Sequence, residues 1–286
     1  MKLKNINCPC CNAESHQPWA AELNYQVVRC MSCKLLYVNP MPDSDDVDAA
    51  VRNGEHLVNA QKLNVRSRRI PKKINLYKAV LEQQFLDVWR SKRKIVWVDV
   101  GCGYGETLEA VQMLAAPGSS VIGVEPMAHK AQNAQSRGLQ IINSYLQPGQ
   151  FKADVISVVD IFSHIPDFHS FLKIVATNLV VGGEVFIETG NLADMTSRNE
   201  FPGELGLPDH LVFGGIKQLT TYLTESGFDI VDIREERVDT LLNTLKNIVK
   251  KMIGRQGNVK IPYTSRYRQI KIRAKLKIHF ESNQVI

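Results

Sequence analysis

The run Ile95-Val96-Trp97-Val98-Asp99-Val100-Gly101-Cys102-Gly103-Tyr104-Gly105-Glu106 decides the fold. It is an apolar strand that enters a glycine-rich turn, and the spacing beyond it predicts a helix over 106–114. Glycines at such a turn let the backbone approach a ligand closely at the carboxyl end of a parallel strand, beside a helix N-terminus. The next strand, 121–124, ends on Glu125, where a carboxylate can accept hydrogen bonds from both hydroxyls of a ribose. Strand, turn, helix, strand and acid form one βαβ unit of ordinary length.

A dinucleotide site would place the third glycine of G-x-G-x-x-G at position 106, where this chain has Glu. That carboxylate would face a pyrophosphate badly. A cofactor with no phosphate and a cationic methionine end suits Asp99 instead. The motif, apolar-Asp-apolar-Gly-x-Gly-x-Gly, resembles that of the class I S-adenosylmethionine-dependent methyltransferases. The resemblance implies that Asp99, Gly101 and Gly103 line the methionine portion, that Glu125 binds the ribose, and that Asn143 and Ser144 lie near adenine. Gly105 and Asp160 complete the expected cofactor-binding set.

Alternation continues downstream, with strands expected at 155–159, 184–188, 227–233 and 269–276 and helices at 168–178 and 215–225. Residues 269–276 alternate apolar and polar, as a half-exposed strand does. The resemblance implies an α/β, doubly wound, seven-stranded Rossmann-like sheet whose last strand is antiparallel.

Upstream, Cys8 and Cys11 form one C-x-x-C pair and Cys30 and Cys33 a second, separated by strand-like Tyr25-Gln26-Val27-Val28-Arg29. Two such turns brought together by a hairpin make a closed tetrahedral thiolate set, and Zn²⁺ in a structural role is the expected ion. Disulfides and an iron centre are the alternatives. Cys10 reads as a spare thiol and His16 as a weaker ligand. A ribbon of this size cannot bury enough apolar surface alone, so an ion would supply much of its folding free energy. The expected organisation is a zinc ribbon over 1–42, a helical linker or lid over 43–94 that includes a helix at 71–89, and the methyltransferase domain over 95–286.

With 286 residues, 44% hydrophobic and 22% charged, the chain has an ordinary globular composition, and it lacks the apolar core of a secretory signal near Met1, so a cytoplasmic location is expected. The net charge of +6 is concentrated toward the C-terminus. Leu241, Leu242, Leu245, Ile248, Val249, Met252 and Ile253 recur at helical spacing with Lys246, Lys250 and Lys251 on other faces. This stretch, 240–253, reads as a peripheral membrane contact, a homodimer face or a helix packed on the core.

A four-cysteine ribbon ahead of this domain, with Leu207-Pro208-Asp209-His210-Leu211 and a later Gly227-Phe228, resembles sugar and secondary-metabolite methyltransferases. That resemblance implies a sugar-containing small-molecule acceptor, methylated on a hydroxyl or a carbon. Only His164 remains of the His-x-x-Glu-His often found after the fourth strand of that group. The alternatives are methylation of RNA, or a non-catalytic binding protein. The ribbon carries few cations, with Arg29 and Lys34 offset by Glu14 and Glu22, which weighs against a nucleic-acid partner. His164, after the fourth strand, and His210, in the connection over 190–214, are the expected general bases, because imidazole titrates near neutral pH. Asp160 and Glu188 stand in reserve, and the plain alternative for either histidine is capping of a turn.

Overall fold

Successive apolar side chains along three central strands turn to opposite faces of the sheet and divide between two cores, and that division fixes the architecture. In the computed structural model, which describes residues 2–58, 61–64, 68–257 and 259–277, the chain begins with β1 (Leu3–Lys4), β2 (His16–Glu22), β3 (Tyr25–Cys30), β4 (Leu36–Val38) and β5 (Met41–Pro42). The next elements are α1 (Ser44–Asn53), β6 (Glu55–Val58), β7 (Gln61–Asn64), α2 (Lys72–Gln84) and α3 (Leu86–Ser91). The alternating region runs β8 (Val96–Val100), α4 (Glu106–Leu114), β9 (Ser120–Val124), α5 (Ala128–Gln135), β10 (Gln140–Ile142), β11 (Ala153–Val159) and α6 (Phe168–Asn178). It closes with β12 (Leu179–Gly190), β13 (Val212–Phe213), α7 (Ile216–Glu225), β14 (Phe228–Arg237), α8 (Leu241–Met252) and β15 (Arg268–Leu276).

The main sheet has the order β10-β9-β8-β11-β12-β15-β14, with β15 antiparallel to both neighbours and the other pairs parallel. The seven strands and the inverted last one are as expected. Trp97, Val155, Val159 and Phe186 turn to one face, covered by α2, α4 and α5; Val98, Ile156, Val158, Val185 and Ile187 turn to the other, covered by α6, α7 and the N-terminal ribbon. The Val181-Gly182-Gly183 segment lies inside β12, where the pairing jumps from Ala153↔Leu179 to Val155↔Glu184. Among the described residues no helix is long and apolar enough to cross a membrane.

Two elements differ from the sequence reading. The helix expected over 71–89 is broken at Phe85, whose φ of −117° and ψ of 34° leave the helical region. The break drives the Phe85 ring, fully buried, against Trp97 at 4.9 Å and Phe186 at 5.7 Å. Helical periodicity records which face is apolar, not whether one ring must turn out of line to fill a sheet. The ribbon, second, is not self-contained. Its sheet has the order β13-β4-β3-β2, so the last of its four strands comes from the connection between β12 and α7, with Val212 opposite Tyr37 and Phe213 opposite Leu36.

Arg273 of β15, 6% exposed, ties this arrangement together. Its guanidinium donates to the Gln84 carbonyl at 2.7 Å, to both Asp87 oxygens at 2.8 and 2.7 Å, and to Glu184, while lying 4.5 Å from the Phe85 ring centre. It therefore donates to a carbonyl freed near the break and holds α3 to the sheet. Removing one partner of a buried pair leaves the others uncompensated. Arg273→Ala should lower the stability by about 3 kcal/mol in urea unfolding followed by circular dichroism. A loss below about 1 kcal/mol, the worth of an exposed pair, would show that solvent already screens this network.

Candidate functional site

The carboxyl edge of the parallel strands opens into a cavity of about 1390 Å³. It is larger than the roughly 300–1,000 Å³ of most small-molecule sites, enough for two ligands to meet. Asp99, Gly101, Gly103, Glu125 and Ser144 line one side; Asp160, His164 and Asp209 line another; Arg68, Lys73 and Tyr77, with Val47 and Asp48 of α1, cover it. The segment over 43–94 thus supplies the roof.

Asp99 sits at the end of β8, 2% exposed. The β8–β11 register sets Ser157 directly opposite, and the Ser157 hydroxyl donates to Asp99 Oδ1 at 2.5 Å while accepting from the Trp97 indole N–H at 2.9 Å. Burial, with the Glu125 and Glu106 carboxylates adding to it, pushes the Asp99 carboxyl up to about 7. A buried acid beside which no cation stands among the described residues is poised to ionise when a cationic ligand arrives.

The three glycines of the turn divide the work. At Gly103 (φ +56°) an added Cβ would meet nothing within 4 Å, so its backbone faces open cavity. At Gly101 (φ +67°) a Cβ would lie 2.6 Å from the Ile161 side chain, which makes the close approach there one between strand ends. Gly105 faces Leu139 and starts α4 without lining the cavity. Glu125 is 5% exposed; one oxygen accepts from the Gly103 N–H at 2.7 Å and the other from the Met127 N–H at 2.9 Å, which fixes the carboxylate at the cavity wall. Asn143 lies behind the wall, its amide donating to the carbonyls of Glu125 and Pro126 at 2.8 and 3.1 Å.

His164 ends a 3₁₀ turn after β11. Its Nδ1–H donates to the Asp209 carbonyl at 2.8 Å, with Asp209 Oδ1 3.5 Å away, which leaves Nε2 as the free acceptor. Burial alone would lower its pKa, but the Asp209 carboxylate outweighs burial and holds the imidazole above the ordinary histidine value. Asp209 also accepts from His56 Nε2 at 3.2 Å. Burial would raise its pKa, yet the hydrogen bonds from His164 and His56 prevail and hold it well below the usual carboxylate range.

His210 takes a different place. It lines a neighbouring cavity of about 280 Å³, with Nδ1 donating to the Leu205 carbonyl at 2.8 Å and its ring 4.7 Å from that of His164. Burial and the nearby His164 charge lower its pKa. Asp160 borders both cavities in a left-handed conformation (φ +57°), accepts from the Gln269 amide at 2.8 Å and lies 3.9 Å from Lys73 Nζ. Glu188 lines neither cavity; burial, with Asp160 nearby, raises it to about 7.

At the ribbon, the sulfurs of Cys8, Cys11, Cys30 and Cys33 all lie within 4.8 Å of one another, and the Cys8–Cys33 and Cys11–Cys30 pairs are 3.5 Å apart. A tetrahedral zinc with bonds of about 2.3 Å holds its sulfurs about 3.8 Å apart, so this donor set fits one. Thiol hydrogen bonds from Cys10 and Cys8 press Cys33 toward the thiolate. Cys10 stays outside the quartet, and His16 is engaged with Glu14 and Asn39.

The ribbon also holds the connection over 190–214. Glu22 accepts from the backbone N–H groups of Leu205, Gly206 and Leu207 at 2.8, 2.8 and 3.2 Å, and Arg29 donates to the carbonyls of Ala193 and Met195 at 3.1 and 2.5 Å. Asp209 and His210 thus stand on a loop clamped by the N-terminal segment. Ser157, Asp209, His56 and Tyr77 escaped the sequence reading. Only Asp209, beside His210 in the quoted Pro208-Asp209-His210-Leu211, carried a local signal.

Comparison with known proteins agrees with this geometry. The pattern of a family described as a methyltransferase domain matches residues 67–233, more than half of the chain. The C-methyltransferase NovU of Streptomyces niveus is 27% identical over 149 residues, 48% of this chain and 33% of that protein. The ubiquinone biosynthesis O-methyltransferase of Acinetobacter baumannii (strain AYE) is 32% identical over 107 residues, 33% of this chain and 43% of that protein. The chain thus spans well under two thirds of the length of these relatives. In fold it is similar to the geranyl diphosphate C-methyltransferase of Streptomyces coelicolor A3(2), with a TM-score of 0.51 and 16% identity over 72% of this chain and 83% of the other.

The state of Asp99 generates a test. Its pKa rises from 3.8 in the unfolded chain to about 7 in the fold, so between these values the unfolded state has released a proton that the folded state keeps. The stability contribution is therefore complete below about pH 4 and falls as pH rises through about 7, with a slope of up to about 1.4 kcal/mol per pH unit. Glu188 acts in the same direction. Asp99→Asn should remove the Asp99 part, which urea titrations of both proteins at several pH values would measure. Parallel curves for the two proteins would place the Asp99 carboxyl in its ordinary range.

Proposed function

Because this chain belongs to the methyltransferase-domain family, we propose that it transfers a methyl group from S-adenosylmethionine to a small-molecule acceptor, most specifically a hydroxyl or carbon of a sugar. The observation that carries this reading is the single cavity in which Asp99, Gly103 and Glu125 face His164. One relative is named as a C-methyltransferase and another as an O-methyltransferase of ubiquinone biosynthesis. The polar groups at the far end of the cavity, among them Lys73, Asp160 and His164, suit an acceptor rich in hydroxyls.

The cofactor, when bound, supplies a methyl group on a cationic sulfur. Asp99 meets the cationic amino-acid end, the Gly103 backbone allows close approach, and the Glu125 carboxylate stands where ribose hydroxyls can bond it. Ser144 borders the base. His164 Nε2 accepts the proton of the acceptor, and the resulting imidazolium is paired with Asp209, which His56 holds in turn. His210 lies behind His164 and orients the loop; the base is assigned to His164 because it lines the cavity and His210 does not.

A zinc ion on Cys8, Cys11, Cys30 and Cys33 serves structure in this reading. Four thiolates leave it no open position, and it holds the sheet that β13 joins. The competing reading, methylation of RNA, rests on the basic C-terminal region, but Arg29 of the ribbon is spent on two backbone carbonyls.

The deciding experiment incubates the protein with radiolabelled S-adenosylmethionine and, separately, nucleotide sugars, quinone precursors and bulk RNA. Transfer to nucleotide sugars supports the reading; transfer only to RNA, or to none while the cofactor binds, overturns it. With the acceptor found, His164→Ala should cut turnover by about 10²- to 10⁴-fold without changing cofactor affinity. The acid limb of the rate, which needs neutral imidazole, should lie above the ordinary histidine range and move down in Asp209→Asn. Chelation of the ion should lower turnover more than cofactor affinity, since the ribbon clamps the loop of Asp209 and not the turn of Gly103. Equal loss of both would make the ion a requirement of the whole fold.

A further inference from the structure

Helix α8 shows its apolar side to solvent. At 100° per residue, Leu241, Leu242, Leu245, Ile248, Val249, Met252 and Ile253 fall within an arc of about 140°, and each is between 41% and 82% exposed. The opposite side rests on the protein through buried Thr244 and half-buried Asn247 and Lys250. Thr244 accepts from the Tyr263 N–H at 3.0 Å, and Thr240 caps the first turn by accepting from Asn243 N–H at 3.2 Å. An ordinary surface helix turns its stripe inward. Here a built helix is anchored by its polar side and turned outward.

We propose that α8 is a docking surface for an anionic lipid bilayer. Lys246 borders the apolar arc on one side and Lys251 lies on the other, both exposed, with Arg255 just beyond the helix. From 240 to 277 the sequence contains no Asp or Glu, whereas Lys and Arg recur throughout. Aliphatic side chains that enter the acyl boundary, flanked by lysines that reach anionic headgroups, are the chemistry such a membrane recognises. A second copy of this chain fits less well, because two such faces would set lysines against lysines with no acid to pair them. A polyanion such as RNA would use the cations but leave the aliphatic arc in water.

The topology gives docking a direction. β14 pairs with β15 from Phe228↔Leu276 to Arg237↔Arg268, and β15 pairs with β12 up to Gly190↔Gln269. The end of β14 that leads into α8 is therefore on the same edge of the sheet as the carboxyl ends of β11 and β12, where Asp160 borders the cavity. Docking through α8 turns that edge toward the bilayer. The inference stands apart from the identity of the acceptor.

The test floats the full chain with vesicles of phosphatidylglycerol and phosphatidylcholine in equal parts, and with phosphatidylcholine alone, at low and high salt. The expected result is binding to the first only, weakened by salt. Replacing Leu242 and Met252, 80% and 82% exposed, by Asn should weaken it more than about tenfold, with the thermal midpoint unchanged because neither side chain is packed. Each of Lys246→Gln and Lys251→Gln should weaken it about fivefold. No binding to anionic vesicles, or binding indifferent to the Asn pair, overturns the proposal. Sedimentation that shows a dimer dissolved by the Asn pair, without vesicle binding, assigns the face to a second copy. RNA binding lost with the lysines but kept in the Asn pair, again without vesicle binding, assigns it to nucleic acid.

Discussion

Backbone pairing of Val212 and Phe213 with Tyr37 and Leu36 is the constraint on which the arrangement of the site depends. The connection between β12 and α7 has local order of its own, with 3₁₀ turns at Leu192–Asp194 and Arg198–Glu200, but fixing a connection of such length in one position costs entropy that contacts elsewhere must offset. Here the ribbon sheet takes its last strand from that loop, Glu22 occupies three successive N–H groups of it, and Arg29 takes two of its carbonyls. The loop is thereby ordered from outside. Asp209 and His210 come next to β13, so they inherit its position, and His164 finds its carboxylate partner.

The same dependence gives the four cysteines a role in the site without placing them in its chemistry. The ribbon contributes Val27, Val28, Leu36 and Tyr37 to the core on its face of the main sheet. Gln218 donates to the Cys33 carbonyl and His169 to the Cys10 carbonyl, so α7 and α6 are tied to the cysteine turns themselves. An ion that holds those turns would stiffen helices, loop and ribbon together.

Two carboxylates in one cavity, Asp99 buried and Asp209 half-buried, are driven in opposite directions, and the difference follows from their neighbours. Asp209 has two imidazoles as donors and is held ionised; Asp99 has one serine hydroxyl and, among the described residues, two further acids that add to its burial, and is held toward its neutral form. The first is a finished interaction that orients an imidazole. The second is unfinished, and a ligand bearing positive charge would complete it. Charge on the helix that follows β14 is arranged differently again, with cations at the edges of an apolar arc that is exposed among the described residues.

The sequence by itself determined whatever depends on near neighbours. The turn from Asp99 through Gly105, the acid at Glu125, the two C-x-x-C pairs, the alternation of strands and helices and the amphipathic period of 241–253 are all encoded within a few residues, because turns, caps and periodicity are short-range. Gly105 and Asn143 were legible as part of the cofactor motif, yet they stand behind the cavity wall, since a motif gives order along the chain and not the direction each residue faces. Tertiary structure alone decided the rest. Ser157 meets Asp99 only through strand register, His56 meets Asp209 across 153 residues, helix packing breaks the chain at Phe85, and His164 rather than His210 reaches the large cavity. These are long-range encounters, and no local pattern records them, because the partner that gives each residue its role arrives only when the sheet and the ribbon have closed.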